Sequence, residues 1–302
     1  MLAWTVFALF VFAVMALDLG VFNRGDKEST FKGAVYFSLF CLVSAGCFNL
    51  GIWYFKGASA ALEFLAGYLV EESLSVDNIF IFLVIFSYFK VPKRYQHDIL
   101  FWGVLGALGM RALFVAAGVS LLTHFHWVIY IFGAILIFTG IKMIKQSEEE
   151  IHPERNPILR LLRKLIPVTK DYEGKHFFVR HGGKLMATPL FVVLVVIETT
   201  DLIFAVDSIP AVLAITRDPF IVYTSNVFAI MGLRAMYSAL SGVMDRFHLL
   251  HYGLAFILCF VGGKMLAERW IHVPIGVSLG VIAVALVVTV SASLFFPKPQ
   301  AD

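Results

Sequence analysis

Six acidic residues stand inside two long apolar stretches of this sequence: Glu71, Glu72 and Asp77 in one, Glu198, Asp201 and Asp207 in the other. A charged side chain at bilayer depth costs at least ~2.5–3.5 kcal/mol on insertion scales, so such residues are as a rule paired or functional. At about 100° per residue, Glu71, Ser75 and Asn78 share one face of a helix, as do Asp201 and Ser208. Asp77 and Asp207 stand roughly 120° around and ~9 Å along from the first acid of each pair. A continuous helix therefore keeps the two acids of each pair apart. Local unwinding, for which Pro210 and the Ser/Thr/Asn-rich neighbourhood provide an occasion, brings them together. The candidate ligand set is then Glu71, Asp77, Asn78, Asp201, Asp207 and Ser208, with Glu72 and Glu198 as supporting charges. Carboxylate, amide and hydroxyl oxygens without His or Cys suit a hard cation such as Mg²⁺, Ca²⁺ or Mn²⁺. The alternative is a buried salt-bridge network, in which Arg111, Lys142, Arg234 and Lys264 neutralise four of the acids. Both can hold at once, with Arg111 and Arg234 fixing carboxylates around a cation.

Other candidates are weaker. His124 and His126 read as solvated residues at a helix end, and the His248/His251 pair lacks a third ligand. Asp18 reads as snorkelling to the interface. Phosphate-cradling loops, nucleophile elbows and H-E-x-x-H motifs are missing from the sequence, so the reading is not an enzyme and needs no prosthetic group.

The elements that position these residues follow from composition. Of 302 residues, 60% are hydrophobic and 15% charged, too few polar groups to cover a water-soluble core. Apolar runs of roughly 20 residues recur along the whole length and read as membrane spans. Nine are expected: Ala3–Phe22, Gly33–Phe55, Ala61–Phe89, Ile99–Leu122, Trp127–Ile144, Ala187–Ile215, Phe220–Val243, Tyr252–Ala267 and Ile271–Phe296. The chain is thus an all-α integral membrane protein. Two helices occupy residues 1–60, a three-helix unit 61–144, a cytoplasmic loop 145–186, a second three-helix unit 187–267, and the last helix and tail 268–302. Within the loop, Ile158–Ile166 alternates apolar and basic residues like a short surface helix, and no separate soluble domain is expected.

Basic residues set the orientation. Four of the 24 Lys and Arg lie within helices, three fall on the side of the N-terminus, and seventeen on the other. Positive charge stays in the cytoplasm, so the N-terminus is expected outside and the C-terminus inside the inner membrane. The partners expected are a divalent metal ion and the bilayer, with no nucleic acid; a homo-oligomer or membrane partner proteins stay open.

The two units repeat one another. Glu71-Glu-Ser-Leu-Ser-Val-Asp77-Asn78-Ile returns as Asp201-Leu-Ile-Phe-Ala-Val-Asp207-Ser208-Ile at an offset of 130. Gly109-Met-Arg111-Ala112 returns as Gly232-Leu-Arg234-Ala235 at 123, and Gly140-Ile-Lys142-Met143 as Gly262-Gly-Lys264-Met265 at 122. Helices 3–5 therefore correspond to helices 6–8. Because each unit crosses the membrane three times, adjacent copies are expected in opposite orientations, the inverted repeat common in secondary transporters.

At Glu71-Glu-Ser-Leu-Ser-Val-Asp77-Asn78 and Glu198-Thr-Thr-Asp201 through Pro210, the sequence resembles the TerC family, nearest its Alx-like branch. The resemblance extends through Ser87-Tyr88-Phe89, Tyr130-Ile-Phe-Gly133, His176-Phe-Phe-Val-Arg180 and Thr224-Ser-Asn226. That family is named for tellurium resistance, is associated with manganese export or metal homeostasis, and is grouped with the lysine-exporter superfamily of inverted-repeat transporters. The resemblance implies Mn²⁺ as the transported ion, export as the direction, and Glu71, Asp77, Asp201 and Asp207 as the acidic positions, with Asn78 and Ser208 beside them. Glu72 is less tied to the pattern, since its counterpart in the second unit is Leu202. The other function open to such a chain is a non-transporting membrane scaffold for stress-response or metalation partners, using the loop Lys145–Met186.

Overall fold

The computed structural model describes residues 2–17, 31–145, 166–181, 184–240, 249–271 and 273–295. The side chains of Asp77, Phe80 and Arg234 are outside this description, as are Asp18, His248 and the surface helix expected over Ile158–Ile166, apart from its last residue. Among the described residues nine helices occur: α1 (Leu2–Leu17), α2 (Phe31–Lys56), α3 (Ala58–Tyr88), α4 (Lys93–His124), α5 (Val128–Lys145), α6 (Pro189–Leu213), α7 (Pro219–Leu240), α8 (Leu250–Ala267) and α9 (Ile275–Phe295). Seven are long and apolar enough to cross a membrane, α1 and α3 being the exceptions. The protein is an all-α, multi-pass integral membrane protein.

Local chemistry explains the helix ends. Pro219 opens α7, and the Asp218 carboxylate ahead of it accepts the Phe220 amide at 2.9 Å. Pro189 stands in the first turn of α6 after the extended Thr188. Gly57 separates α2 from α3 with φ at 91°, a left-handed conformation that favours glycine. Helix α4 starts at Lys93, directly after Pro92 and six residues before the expected Ile99, because its polar first turns precede the apolar run.

The two exceptions have separate reasons. Helix α1 has 16 described residues, about 24 Å of rise. It is held by rings: Phe7 packs on Phe48 at 5.5 Å and on Phe228 at 5.9 Å. Helix α3, 31 residues and about 46 Å long, carries Glu63, Glu71, Glu72 and Asp77. It is surrounded by α2, α6, α7 and α9, so its acids need not face lipid. The outer surface of the bundle is apolar: Leu39, Leu42, Leu50 and Trp53 on α2, with Val284, Val287 and Val288 on α9, are exposed.

The six helices α3 to α8 interlock in a pattern that survives exchange of the two units. Helix α3 packs on α7, α4 on α6, and α5 on α8. Along α4 and α6 the contacts ascend together, Gly103 with Ile197 and Gly118 with Leu213. They ascend together along α3 and α7 too, Gly67 with Ser225 and Glu72 with Gly232. Along α5 and α8 they run oppositely, Gly133 meeting Gly262 while Gly140 meets Ala255. The offset of 122 converts the first of those last two contacts into the second.

The connection between α5 and α6 contains a hairpin that the sequence reading lacks. Strands β1 (Phe178–His181) and β2 (Lys184–Ala187) pair antiparallel, with His181 opposite Lys184. The signal was present as Gly182-Gly183, a two-residue glycine link between short runs. Its base is tied to α6: the Thr188 hydroxyl donates to the His176 carbonyl at 2.7 Å, and the Thr188 amide to the Phe177 carbonyl at 2.9 Å. Tyr172 donates to the Phe89 carbonyl at 2.8 Å, fastening the preceding loop to the end of α3.

Candidate functional site

Helices α3, α4, α6 and α7 meet at one guanidinium. Arg111, on α4, is 1% exposed, and Glu71, on α3, is fully buried. Their side chains form an ion pair through Nη1 and Oε1. Asp201, on α6, takes the other side of the fork, with Nη2 donating to Oδ1 at 3.1 Å and Nε to Oδ2 at 3.4 Å. Nη1 also donates to Asn226 Oδ1 on α7 at 2.5 Å and lies 3.5 Å from Ser208 Oγ. One cation thus bridges the first acid of each repeated motif. Only an arginine presents enough planar donors to do so. Two carboxylates against one guanidinium leave a formal charge of −1.

The pairing is incomplete. Glu71 Oε2, Ser75 Oγ and Asn226 Nδ2 are buried without a hydrogen-bond partner. Buried polar atoms are normally satisfied, so these three are candidates to meet an ion or water, while unpartnered atoms of Ser38, Asn49 and Glu72 lie elsewhere in the bundle. Asn78 is also buried, one turn beyond Ser75 on the face of Glu71. Among the described residues, no three His, Cys, Asp or Glu side chains gather into a group that could hold a metal ion.

The other acids with described side chains go elsewhere. Asp207 is half-buried and accepts a hydrogen bond from Thr139 of α5 at 2.8 Å. Glu72 lies about 100° around α3 from Glu71 and faces α2 and α7, where a Cβ on Gly232 would lie 3.8 Å from Glu72 Oε1 and 4.0 Å from Cys41. Glu198 is half-buried against α4, with its carboxylate where a Cβ on Gly106 would stand. The unwinding expected at Pro210 does not occur: α6 is continuous from Pro189 to Leu213, as α3 is from Ala58 to Tyr88. Pro210 removes only the amide that would meet the Val206 carbonyl, and the packing of α6 against α3 and α4 carries the helix through that single loss. Of the other cations, Lys142 is exposed and Lys264 donates to Ser278 at 3.1 Å. His124 is exposed and bonds the Ser120 carbonyl at 2.8 Å; His126 is exposed as well. Asn226 is the residue that sequence reasoning missed as a site member. Its only signal was the buried-polar run Thr224-Ser225-Asn226 within an apolar helix.

Residues 56–301, from the end of α2 onward, match the profile of the integral membrane protein TerC family. The chain belongs to the TerC family. It is 48% identical over 291 residues to an uncharacterized membrane protein of Myxococcus xanthus, covering 96% of this chain and 91% of that one. It is 48% identical over 297 residues to a protein of Escherichia coli called Alx, proposed by its name to be a membrane-bound redox modulator; 95% of this chain and 92% of that protein are covered. The Alx of Salmonella typhi is 46% identical over 297 residues, covering 95% and 92%. No solved structure matches the chain. The TerC match therefore spans every helix that supplies Arg111 or one of its partners.

Proposed function

We propose that this TerC protein exports a divalent cation, Mn²⁺ in the first place, from the cytoplasm across the inner membrane. The observation that carries the reading is the buried meeting of Glu71 and Asp201 around Arg111, with Glu71 Oε2 and Ser75 Oγ left without partners. Acids at bilayer depth are costly, and a purely structural pair has no need of surplus oxygens. The further oxygens come from Asn78 and Ser208, with Asp77 and Asp207 as a second pair along α3 and α6. Glu72, Glu198 and Arg234 supply supporting charge. Contacts that survive exchange of α3–α5 with α6–α8, and the antiparallel run of α5 on α8, support an inverted repeat. A site between two such units is suited to alternating access by rocking one against the other.

The names of the Alx relatives point to redox balance, but Cys41, Cys47 and Cys259 all lie within apolar helices, out of easy reach of aqueous thiols, which favours metal carriage over thiol exchange. A second reading, a scaffold for stress-response or metalation partners, rests on the ordered hairpin that the long loop folds onto α6. Transport assays separate the two. In sealed vesicles containing the purified chain, Mn²⁺ movement should be saturable and should respond to a proton gradient, since carboxylates must shed protons to bind metal. Asp77→Asn and Asp207→Asn should each abolish it while leaving expression intact. Mg²⁺ should compete poorly because it dehydrates reluctantly. Equal Mn²⁺ movement with both aspartates replaced would sink the transport role of these acids and move the scaffold ahead.

A further inference from the structure

We infer that Arg111 is a tethered competitor of the transported cation: its guanidinium occupies the empty carboxylate site and must leave Glu71 for a divalent ion to enter. The inference rests on the metal-export reading and adds to it the group that empties the site. A structural counter-ion would be expected to satisfy its acids. Arg111 does not, for it divides one fork between Glu71, Asp201 and Asn226 and leaves Glu71 Oε2 without a partner, like Ser75 Oγ one turn along the same helical face. It gives the two acids unequal numbers of donors, although its contact with Glu71 is the closer one. Asp201 is gripped by Nε and Nη2 together, whereas Glu71 receives Nη1 alone, which Asn226 shares. Release of Glu71 therefore leaves the arginine paired with Asp201 and frees both oxygens of one carboxylate, plus Ser75 and Asn78 on the same helical face. The formal charge of Arg111, Glu71 and Asp201 is −1 without the ion and +1 with it, and Glu71 keeps a cationic partner in both arrangements because it trades a guanidinium for a metal ion. The same exchange run backwards expels the metal, with Arg111 supplying the replacement charge.

The assignment makes a prediction of unusual sign. Asn226 stabilises the arginine-bound, empty state through a charge-assisted hydrogen bond, so its removal should favour the metal. Asn226→Ala should bind Mn²⁺ about tenfold tighter than the wild-type chain, the size of change that one such bond supports. Arg111→Lys keeps the charge and hence the folded bundle, but a point ammonium cannot bridge both acids. It should tighten Mn²⁺ binding as well, and both variants should release the ion more slowly. The test is Mn²⁺ binding, read as loss of the free-ion electron paramagnetic resonance signal, on the full chain in lipid nanodiscs, with stopped-flow release by a chelator. Unchanged or weaker binding in both variants, alongside wild-type binding, would overturn the competitor and leave metal export standing. Absence of Mn²⁺ binding in the wild-type chain and in both variants would overturn the two together.

Discussion

At the residue scale the decisive fact is that one buried arginine is shared between two buried acids. Removing one partner of a buried charge pair typically costs ~3–5 kcal/mol, because the survivor is left buried and alone. Arg111→Ala strands both Glu71 and Asp201, so the yield of folded protein and its thermal midpoint in detergent should fall by that measure. Arg111→Ala combined with Glu71→Gln and Asp201→Asn should recover much of the loss, since no charge is then stranded. A normal midpoint for Arg111→Ala would place the balancing charge elsewhere. Glu198 offers a gentler probe. Gly106→Ala puts a methyl group where its carboxylate lies, and a flexible side-chain end can step aside at little cost. Transport should therefore change more than stability.

At the scale of elements, the closest crossing in the bundle is that of α5 with α8. A Cβ at Gly133 would lie 2.9 Å from the Gly262 carbonyl oxygen, and one at Gly262 would lie 2.6 Å from that of Gly133. Backbone cannot step aside as a side chain does. Gly133→Ala and Gly262→Ala should each destabilise the bundle by about 1–3 kcal/mol, the usual range for overpacking. Gly263→Ala, one residue on and with nothing within 4 Å, is the control and should be near neutral. Thermal unfolding of the three variants in one detergent decides it; equal midpoints would mean that the crossing tolerates separation. Small residues at such crossings are how membrane helices gain packing without a hydrophobic driving force.

For the whole molecule, the expected orientation has a direct test. Ser59 begins α3 just after the α2–α3 link, and Lys170 lies in the loop before the hairpin; both are exposed. With the N-terminus outside, Ser59→Cys should react with an impermeant thiol reagent in intact cells, and Lys170→Cys only after permeabilisation. Labelling of both from one side would remove the charge-bias argument and the alternating-access scheme built on it. The exposed apolar faces of α2 and α9 mark these helices as the lipid-facing margin, with α3 and α7 sheltered inside.

Much of this was legible in the residues alone. Long apolar runs can only be satisfied as helices in a bilayer, so the number of helices and their order follow from composition. Most edges fall within a few residues because Pro92, Pro189, Gly57 and Pro219 act locally on the backbone. The six acids and Arg111 were conspicuous for the same reason, being polar groups in runs that tolerate few. Which acid meets which partner was not legible. Glu71 and Glu72 are neighbours in sequence, yet one faces Arg111 and the other Cys41 and Gly232, because a helix turns about 100° between them. Asp207 finds Thr139, 68 positions away, and Asn226 finds Arg111 at 115. Such partners are chosen by the crossings of α3, α4, α6 and α7, and those depend on side-chain packing summed over whole helices, which no local spacing contains.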